Sequence, residues 1–499
     1  MNEHAQAETR DLFQAEYGHF IAGEWVGANG GKLIDQINPA TGAVLASIQA
    51  GTAQDAIAAV DAASAALPGW SATSSEERQD IMVEIARRLK ARAGDFAMME
   101  SLNNGKTITE ATYWDIPMAT GSFSYFAGAA HTLKGETLDF PDAVCLTHRE
   151  PIGVCAQITP WNVPLVMAAA KIAPAIVSGN TVVLKPAEST CLAVLEFIRE
   201  IADLLPPGVV NVITGYGSEI GEPLVTHPAV RKVAFTGSTA TGRHIMRYAS
   251  QNIIPQTLEL GGKSAQIVCA SADVDAAVEG AVMSTVFNKG EVCLAGSRVF
   301  VHASIKEEFM EKLARAMKGI RIGNPLDPAT QLGAQASRQH YDKIVKYLQI
   351  AIDEGAVPVS GGEIAHVDGL ESGLFIQPTI LDQVTPQMRV AREEIFGPVT
   401  SILTWENEAE VIAMANDSEY GLGGGLWSRD LAQVHRMTRA MQTGTIWVNR
   451  YYNVKMGTAL GGYKQSGFGR EFAHDILDAY TITKSVVINL NEGKLGIFG

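Results

Sequence analysis

Apolar and polar positions divide the first 130 residues into two kinds of structure. Residues 1–50 contain short apolar runs separated by turns, which predict short strands. Within residues 52–130 the apolar positions follow helical spacing, most clearly between Ser74 and Ala91, where charged residues occupy the other face. This part of the chain therefore predicts a set of amphipathic helices.

From residue 150 the pattern changes to apolar runs that alternate with amphipathic stretches. The amphipathic stretches predict a helix that Ser189 caps and that continues through Ile201, and another from about Ala240 to Ser250. The predicted strands are Gly153–Thr159, Thr181–Leu184, Gly208–Ile213, Lys232–Phe235 and Gln256–Leu260. Strands that alternate with helices indicate a doubly wound, mostly parallel sheet, whose ligands bind at the carboxyl ends of the strands.

The alternation resumes after Gly262 and predicts a second α/β unit. Its predicted strands are Ala265–Cys269, Arg298–His302, Val399–Thr404 and Gly444–Asn449, and its predicted helices are Val274–Phe287, Lys306–Lys318 and Leu431–Met441. Two elements remain outside both units, namely a hairpin within residues 131–150 and an alternating strand at Thr481–Leu490, with nothing after it to pair with. Another copy of the chain often covers such exposed edges; a frayed tail is the alternative.

Composition and charge narrow the classes of function. The chain has 499 residues, of which 46% are apolar and 19% charged, as in an ordinary globular protein with more than one domain. Its net charge of −15 argues against non-specific binding to nucleic acid and against docking on anionic membranes. Histidines and carboxylates show no metal-ligand spacing, so no metal site is predicted.

Cysteine usage and the N-terminal residues bear on the cellular location. Five cysteines without a C-x-x-C pair indicate neither a disulfide framework nor a structural zinc site. The first residues, MNEHAQAETRDLF, are polar and acidic, unlike a signal peptide. The longest apolar stretch, Val163–Val177, contains Lys171 and two prolines and is too short to span a bilayer. We therefore expect a soluble, reduced, cytoplasmic protein.

Two glycine-rich turns follow neighbouring predicted strands. The turn at Gly215-Tyr216-Gly217 is by itself equally compatible with an ordinary glycine turn. The segment 235–242 (FTGSTATG) carries more information, since its small residues let a phosphate approach a helix N-terminus, where free N–H groups favour anions. Two such turns in one parallel sheet predict a bound dinucleotide.

Cys293 is a candidate nucleophile because it stands in a glycine-flanked loop just after a predicted helix. Cys155 and Cys269 instead fall inside apolar strands, as buried structural cysteines do. A reactive cysteine needs a nearby base or a lowered pKa. Glu259, at the end of a predicted strand, could supply that base. The residues alone leave open a structural role for Cys293 and a surface position for Glu259.

Several separated motifs occur in a fixed order along the chain. They are TPWN at 159–162, LKPAE at 184–188, FTGST at 235–239, LELGGK at 258–263, the segment 287–298 around Cys293, EIFGP at 394–398 and GGYKQSG at 461–467. With these motifs, the chain resembles the NAD(P)-dependent aldehyde dehydrogenase superfamily from about residue 18 to the end. The motifs are highly specific for the family and carry little information about the substrate.

This resemblance implies a fold with two doubly wound α/β domains and a small β arm. The implied NAD-binding, Rossmann-like domain comprises residues 1–130 and 151–261. The implied catalytic domain comprises residues 262–466, and residues 131–150 and 480–499 would form an oligomerisation arm. We therefore expect a homodimer or a homotetramer.

The resemblance also implies roles for single residues. Cys293 would attack the aldehyde, Asn162 would stabilise the oxyanion with the backbone N–H of Cys293, and Glu259 would activate water to hydrolyse the thioester. The residues expected to contact the cofactor are Thr159, Trp161, Lys185, Glu188, Gly215, Gly237, Ser238, Glu394 and Phe396. A carboxylate at Glu188, near the adenosine ribose, would repel a 2′-phosphate, so NAD is expected rather than NADP.

Departures from relatives bear on the substrate. Val292 and Leu294 flank the nucleophile where many relatives have cysteines, which leaves the mechanism unchanged. Ala170 stands where relatives for small aldehydes often carry bulky aromatics, which predicts a wider tunnel for a medium-sized hydrophobic aliphatic, terpenoid or aromatic aldehyde. Alternatively, Tyr451 or Tyr452 fills that space. Arg450 is a loose candidate for binding an acidic substrate.

Other functions within the family remain as alternatives. A dehydrogenase for small aliphatic aldehydes such as acetaldehyde is the first. A relative that transfers the acyl group to CoA is less favoured, because Glu259 suits hydrolysis. A non-catalytic binding member is also less favoured, because Cys293, Asn162 and Glu259 are all present.

Overall fold

A computed structural model describes residues 12–493 and 496–497. The prediction about a signal peptide rests largely on residues 1–11, which lie outside the described residues, as do 494–495 and 498–499 of the predicted arm. Within the described residues, the strands form four sheets. A three-stranded sheet near the N-terminus is formed by Glu16–Tyr17, Val44–Gln49 and Leu33–Ile37. These are short strands, as predicted for residues 1–50.

The larger of two doubly wound sheets, here the first sheet, has eight strands among the described residues. Their order is Gly467–Phe468, Gln256–Glu259, Val230–Thr236, Val154–Ile158, Thr181–Lys185, Val210–Val212, His19–Ile21 and Glu24–Val26. The five strands predicted from the sequence lie together in its centre and run parallel. Their carboxyl ends consequently meet at one edge, where Ile158 is paired with Lys185 and Thr236 with Glu259.

Helices accompany the first sheet, and most of them were predicted. They are Ala53–Ser71, Ser75–Ala91, Ala93–Asn104, Ile108–Glu110, Ile116–Ala129, Pro164–Val177, Leu192–Ile201, Gly217–Thr226 and Thr239–Ser250, with a π-helical turn at Ala111–Asp115. The prediction that Ser189 caps a helix is wrong. That helix begins at Leu192, and the backbone N–H of Leu192 donates to Asn103 Oδ1 at 3.1 Å, so a residue from another helix provides the cap.

The second sheet has seven strands among the described residues and confirms the second α/β unit. Their order is Val357–Ser360, Thr379–Asp382, Val399–Trp405, Arg298–His302, Ala265–Val268, Gly423–Trp427 and Thr445–Val448. Its helices are Val274–Val286, Lys306–Lys318, Arg338–Asp353, Arg389–Arg392, Glu408–Asn416 and Leu431–Ala440. All strand pairs are parallel except the outer pair formed by Val357–Ser360.

The two spare elements form a separate sheet, here called the arm sheet. The strand Ala143–Pro151 pairs antiparallel with Thr137–Asp139, which confirms the predicted hairpin. It also pairs along its whole length with Thr481–Asn489, so the final strand is neither frayed nor without a partner in this chain. The final strand is exposed from Ile482 onward. No helix among the described residues is long and apolar enough to cross a membrane.

Candidate active site

A cleft of about 900 Å³ opens at the carboxyl edge of the first sheet. Strand Val230–Thr236 leads into its wall through Gly237 and Ser238, and strand Gln256–Glu259 ends in it at Glu259. The second sheet contributes the loop that carries Cys293. This is where a doubly wound sheet binds its ligands.

The cleft brings together nine of the twelve site residues predicted from the sequence. They are Trp161, Asn162, Glu188, Gly237, Ser238, Glu259, Cys293, Glu394 and Phe396. The other three lie behind the wall of the cleft. The backbone N–H of Thr159 donates to the carbonyl of Lys185 at 3.1 Å, the Lys185 ammonium reaches Glu188 at 2.8 Å, and Gly215, at a φ of 136°, packs against Gly51.

The loop that carries Cys293 is held by unusual backbone geometry. After the helix Val274–Val286 the chain turns through Asn288 and Lys289, which have φ values of 47° and 62°. A Cβ on Gly290 would lie 2.2 Å from the backbone of Gly397, so only glycine allows these two loops to touch. The carbonyl oxygen of Cys293 in turn would lie 2.2 Å from a Cβ on Gly262. Close backbone contacts thus fix the nucleophile against the strand end that supplies Glu259.

Asn162 is hydrogen-bonded directly to the loop of residues 287–297, which carries the candidate nucleophile Cys293 and is here called the nucleophile loop. Its Nδ2 donates to the carbonyl oxygen of Glu291 at 2.8 Å, two residues before Cys293. Asn288 Nδ2 donates to that same oxygen and to the backbone carbonyl of Asn162, each at 3.0 Å. The side-chain amide of Asn162 therefore faces the loop, and Asn288 ties the backbone of Asn162 to the same carbonyl.

Glu259 is buried, and neither of its carboxyl oxygens has a hydrogen-bond partner within the described residues. Burial, and then the neighbouring carboxylate of Glu471, raise the pKa of Glu259 well above its ordinary value, while Lys171 and Arg470 oppose the shift. Lys171 and Glu471 form a buried ion pair beside it. A carboxyl with this environment accepts a proton more readily than an exposed one does.

The same environment disfavours the thiolate of Cys293. Burial raises the pKa of this thiol, and the carboxylates of Glu394 and Glu259 raise it further. Cys293 is therefore a thiol at neutral pH. Glu259, the base predicted from the sequence, lines the same cleft as this thiol.

His340 belongs to the site although the sequence analysis did not identify it. Its Nε2–H donates to the carbonyl oxygen of Phe396 at 2.6 Å, and its ring centroid lies 4.7 Å from that of Trp161. Burial lowers the pKa of His340 to about 3, so the ring is neutral. The sequence offered only an indirect hint, namely Ser337, which marks the start of the helix that carries His340. Its hydroxyl caps the helix Arg338–Asp353 by accepting from the N–H of His340 at 3.3 Å.

The polar end of the cleft has the features that a dinucleotide needs. Ser238 caps the helix Thr239–Ser250, whose N-terminal N–H groups point toward the cleft edge of the sheet. Glu394 Oε1 accepts from the N–H of Gly262 at 2.8 Å. Burial alone would raise the pKa of Glu188, but its ion pair with Lys185 lowers it below its ordinary value, so this carboxylate is charged.

Behind Cys293 lies a buried cluster of aromatic and aliphatic side chains. Ala170 belongs to this cluster together with Tyr451 and Tyr452. The ring of Tyr452 lies 5.2 Å from that of Phe287, and the Tyr451 hydroxyl donates to the carbonyl of Leu294 at 2.9 Å. The walls next to the sulfur are thus apolar and aromatic.

Comparison with known proteins gives concordant results. The model of a family described as "Aldehyde dehydrogenase family" matches residues 25–486. Acetaldehyde dehydrogenase 2 of Cupriavidus necator is 45% identical over 100% of both chains. A crystal structure of a putative aldehyde dehydrogenase from Burkholderia cenocepacia superposes with a TM-score of 0.95 at 40% identity, covering 97% of this chain and 100% of that one. Betaine aldehyde dehydrogenase of Staphylococcus aureus, crystallised with NAD+, gives 0.96 at 37% identity over 99% of each chain.

Proposed function

Because this chain belongs to the aldehyde dehydrogenase family, we propose that it oxidises its aldehyde to the carboxylic acid with NAD, through a thioester on Cys293. The observation that carries this proposal is the meeting of three side chains in one cleft. Cys293, Asn162 and Glu259 come from three separate parts of the sequence and all line it. Their chemistry is that of a nucleophile, an oxyanion donor and a base.

In the first step, the sulfur of Cys293 forms a bond to the aldehyde carbon as the thiol gives its proton to the carboxylate of Glu259. Glu259 passes this proton to solvent before hydrolysis begins. The π electrons of the carbonyl move to its oxygen, which becomes an oxyanion. Asn162 Nδ2 and the backbone N–H of Cys293 stabilise this charge, which is absent in the free aldehyde. Such donors lower the barrier more than they strengthen substrate binding.

The polar end of the cleft fits NAD. Ser238, at the helix N-terminus, would hold the diphosphate, Glu188 and Lys185 the adenosine ribose, and Glu394 the nicotinamide ribose. NAD bound there would supply the hydride acceptor that the oxidation requires. The charged carboxylate of Glu188 favours NAD over NADP, because it would face a 2′-phosphate.

Hydrolysis then releases the acid from the thioester. Glu259 takes a proton from a water molecule as the water oxygen attacks the thioester carbon, and the sulfur of Cys293 leaves. The buried pair of Lys171 and Glu471 lies beside Glu259 and tunes its affinity for that proton, since Glu471 raises the pKa of Glu259 and Lys171 lowers it. Because Glu259 can activate water in this way, we favour hydrolysis of the thioester over transfer of the acyl group to CoA.

For the substrate, we propose a medium-sized hydrophobic aldehyde, aliphatic, terpenoid or aromatic. Ala170 and the aromatic rings behind Cys293 belong to one buried apolar cluster, which suits a hydrophobic substrate. A small aldehyde remains the second candidate, since a relative at 45% identity is named acetaldehyde dehydrogenase. Comparison of kcat/KM for octanal, citral, benzaldehyde and acetaldehyde distinguishes the two.

We further propose that the arm sheet joins copies of the chain into a dimer or tetramer. Its final strand exposes apolar side chains to solvent along most of its length, at Ile482, Val486, Val487 and Ile488. A strand edge of this kind is protected when a second copy covers it.

The direct test measures NADH formation at 340 nm with the aldehyde panel. Turnover should disappear in Cys293→Ala. In Glu259→Gln, steady-state turnover should fall, because the group that takes the proton from the thiol and from water is lost. Unchanged turnover in Glu259→Gln would contradict the hydrolytic role, and tight NAD binding without any turnover would favour a non-catalytic member of the family.

A further inference from the structure

A cluster of charged side chains lies beneath the nucleophile loop. Its members are Glu100, Lys106, Glu110, Asp115, Lys289 and Glu291. Lys106 Nζ lies 2.8 Å from Asp115 Oδ1 and 3.4 Å from Glu100 Oε2. Lys289 Nζ lies 2.9 Å from Glu291 Oε2. Four carboxyl groups therefore share two ammonium groups, and burial raises the pKa of each of these carboxyl groups.

Three of these carboxyl groups accept a backbone N–H from a segment of the active site. Glu110 accepts from Asn288 at 2.7 Å, and Glu291 accepts from Ala336 at 3.0 Å. Glu100 Oε1 accepts from the N–H of Leu165 at 3.0 Å. Leu165 lies in the first turn of the helix Pro164–Val177, which has no side-chain cap from its own N-cap residue.

Glu100 therefore caps this helix from a distance of 65 residues along the chain. The helix begins two residues after Asn162, so its first turn sets the position of that amide. A carboxylate at a helix N-terminus is a stronger cap when it is ionised, because it then bonds through its charge and interacts with the helix dipole.

We propose that Glu100 is a positioning residue for the oxyanion site: its carboxylate fixes the first turn of Pro164–Val177 and thereby holds Asn162 against the nucleophile loop. This inference rests on the proposed function, since it acts through Asn162. Glu100 itself lies behind Asn162 and is absent from the wall of the cleft.

The electrostatics of Glu100 give the proposal a distinctive pH signature. Burial and the charge of Asp115 raise the pKa of Glu100 to about 7, although Lys106 and the N–H of Leu165 oppose the shift. The ordinary value is 4.5, so folding favours the protonated form. Its stabilising contribution is therefore complete below pH 4.5 and is lost as the pH rises through 7. Over the same rise in pH, ionisation of Glu100 strengthens its cap on the helix Pro164–Val177. The positioning of Asn162 therefore improves while the stability of the fold decreases.

The test compares Glu100→Gln with the wild type in acylation by p-nitrophenyl acetate, which requires the oxyanion site without any cofactor. Glutamine keeps the shape and an acceptor oxygen but does not ionise. At pH 8.5 we expect about fivefold slower acylation, the difference between a charged and a neutral bond, and no difference at pH 6. Glu100→Gln should also melt at a higher temperature than the wild type at pH 8.5.

The matched control is Glu196→Gln, since Glu196 is also buried and bonds the Tyr17 hydroxyl at 2.5 Å, away from the cleft. It should keep the wild-type pH profile. In an Asn162→Ala background, Glu100→Gln should cause no additional loss, because its effect passes through that amide. If Glu100→Gln does not fold, Asp115→Asn serves instead and should move the midpoint of the acylation profile to lower pH.

These outcomes distinguish the positioning role of Glu100 from the proposed function of the whole site. The positioning role is overturned if Glu100→Gln keeps the wild-type pH profile of acylation. It is also overturned if Glu100→Gln slows acylation equally in the wild-type and Asn162→Ala backgrounds, or if Asp115→Asn leaves the midpoint of the profile unmoved. Undiminished acylation in Cys293→Ala instead overturns the proposed function itself.

Discussion

Replacing Asn162 with alanine tests the oxyanion role, because the structure predicts a large loss of rate and a small loss of stability. The variant removes the bond from Nδ2 to the carbonyl of Glu291. That carbonyl still accepts from Asn288 Nδ2, which also keeps its bond to the backbone of residue 162. Folding therefore loses one of two hydrogen bonds on a single acceptor, about 1 kcal/mol.

The transition state loses more stabilisation than the folded protein does. Removing one donor from an oxyanion site costs about 2.7–4 kcal/mol, which corresponds to roughly 10²–10³ in rate. Since this charge exists only after the sulfur attacks, kcat and kcat/KM should fall together and KM should change little. The loss of rate then exceeds what the loss of stability explains.

The assay is NADH formation at saturating NAD, combined with thermal unfolding of the same preparations. Asn211→Ala is the matched control, because Asn211 is equally buried and donates to Gly208 at 2.8 Å and Val182 at 3.2 Å, away from the cleft. It should lose at least as much stability and retain kcat/KM within about twofold, since it touches no reacting group. The oxyanion role of Asn162 is refuted if kcat/KM of Asn162→Ala stays within fivefold of the wild type, or if both variants lose activity in proportion to stability.

Three other predictions concern the thiol, the cofactor and the arm sheet. Burial and then Glu394 and Glu259 raise the pKa of Cys293, so alkylation of the cofactor-free enzyme by iodoacetamide should be slow at pH 7 and still rising at pH 9.5; a plateau below pH 8 contradicts this. Glu188→Gln frees the ammonium of Lys185 and removes a repulsive charge, so the ratio of kcat/KM for NADP to that for NAD should rise about tenfold; an unchanged ratio rejects the assignment. Val487→Lys places a charge on an exposed apolar strand, and light scattering should show the mass of one protomer where the wild type is larger; an unchanged mass would place the interface elsewhere.

Regular periodicity allowed much of the fold to be predicted. The strand Arg298–His302 and the helix Lys306–Lys318 have the predicted ends, because alternation and helical spacing each begin and stop sharply there. The strand Gly423–Trp427 was missed, since it starts with three glycines, which disfavour strands. Its neighbours require them: a Cβ on Gly425 would lie 2.9 Å from the ring of Tyr451.

For the site, the motifs led to residues that line the cleft and missed those that lie behind them. Cys293, Asn162 and Glu259 each stand in a recognisable segment. The pairs Lys171–Glu471 and Glu100–Leu165 join residues 300 and 65 positions apart, and no local pattern encodes such contacts. The one local sign of these buried contacts was a lysine, Lys171, within the apolar stretch Val163–Val177. The cytoplasmic location, the domain boundaries and the assembly state remain predictions.

The strand pairing of residues 467–489 has a consequence for synthesis on the ribosome. Gly467–Phe468 adds the outer strand beside Gln256–Glu259, and Thr481–Asn489 pairs with Ala143–Pro151, which emerges more than three hundred residues earlier. The nascent chain must keep both edges open until these last segments leave the exit tunnel. Glu471, the partner of Lys171, arrives with them. The surroundings of Glu259 are thus complete only after residue 471 has been made, and chaperones that shield strand edges can act on residues 143–151 until residues 481–489 emerge.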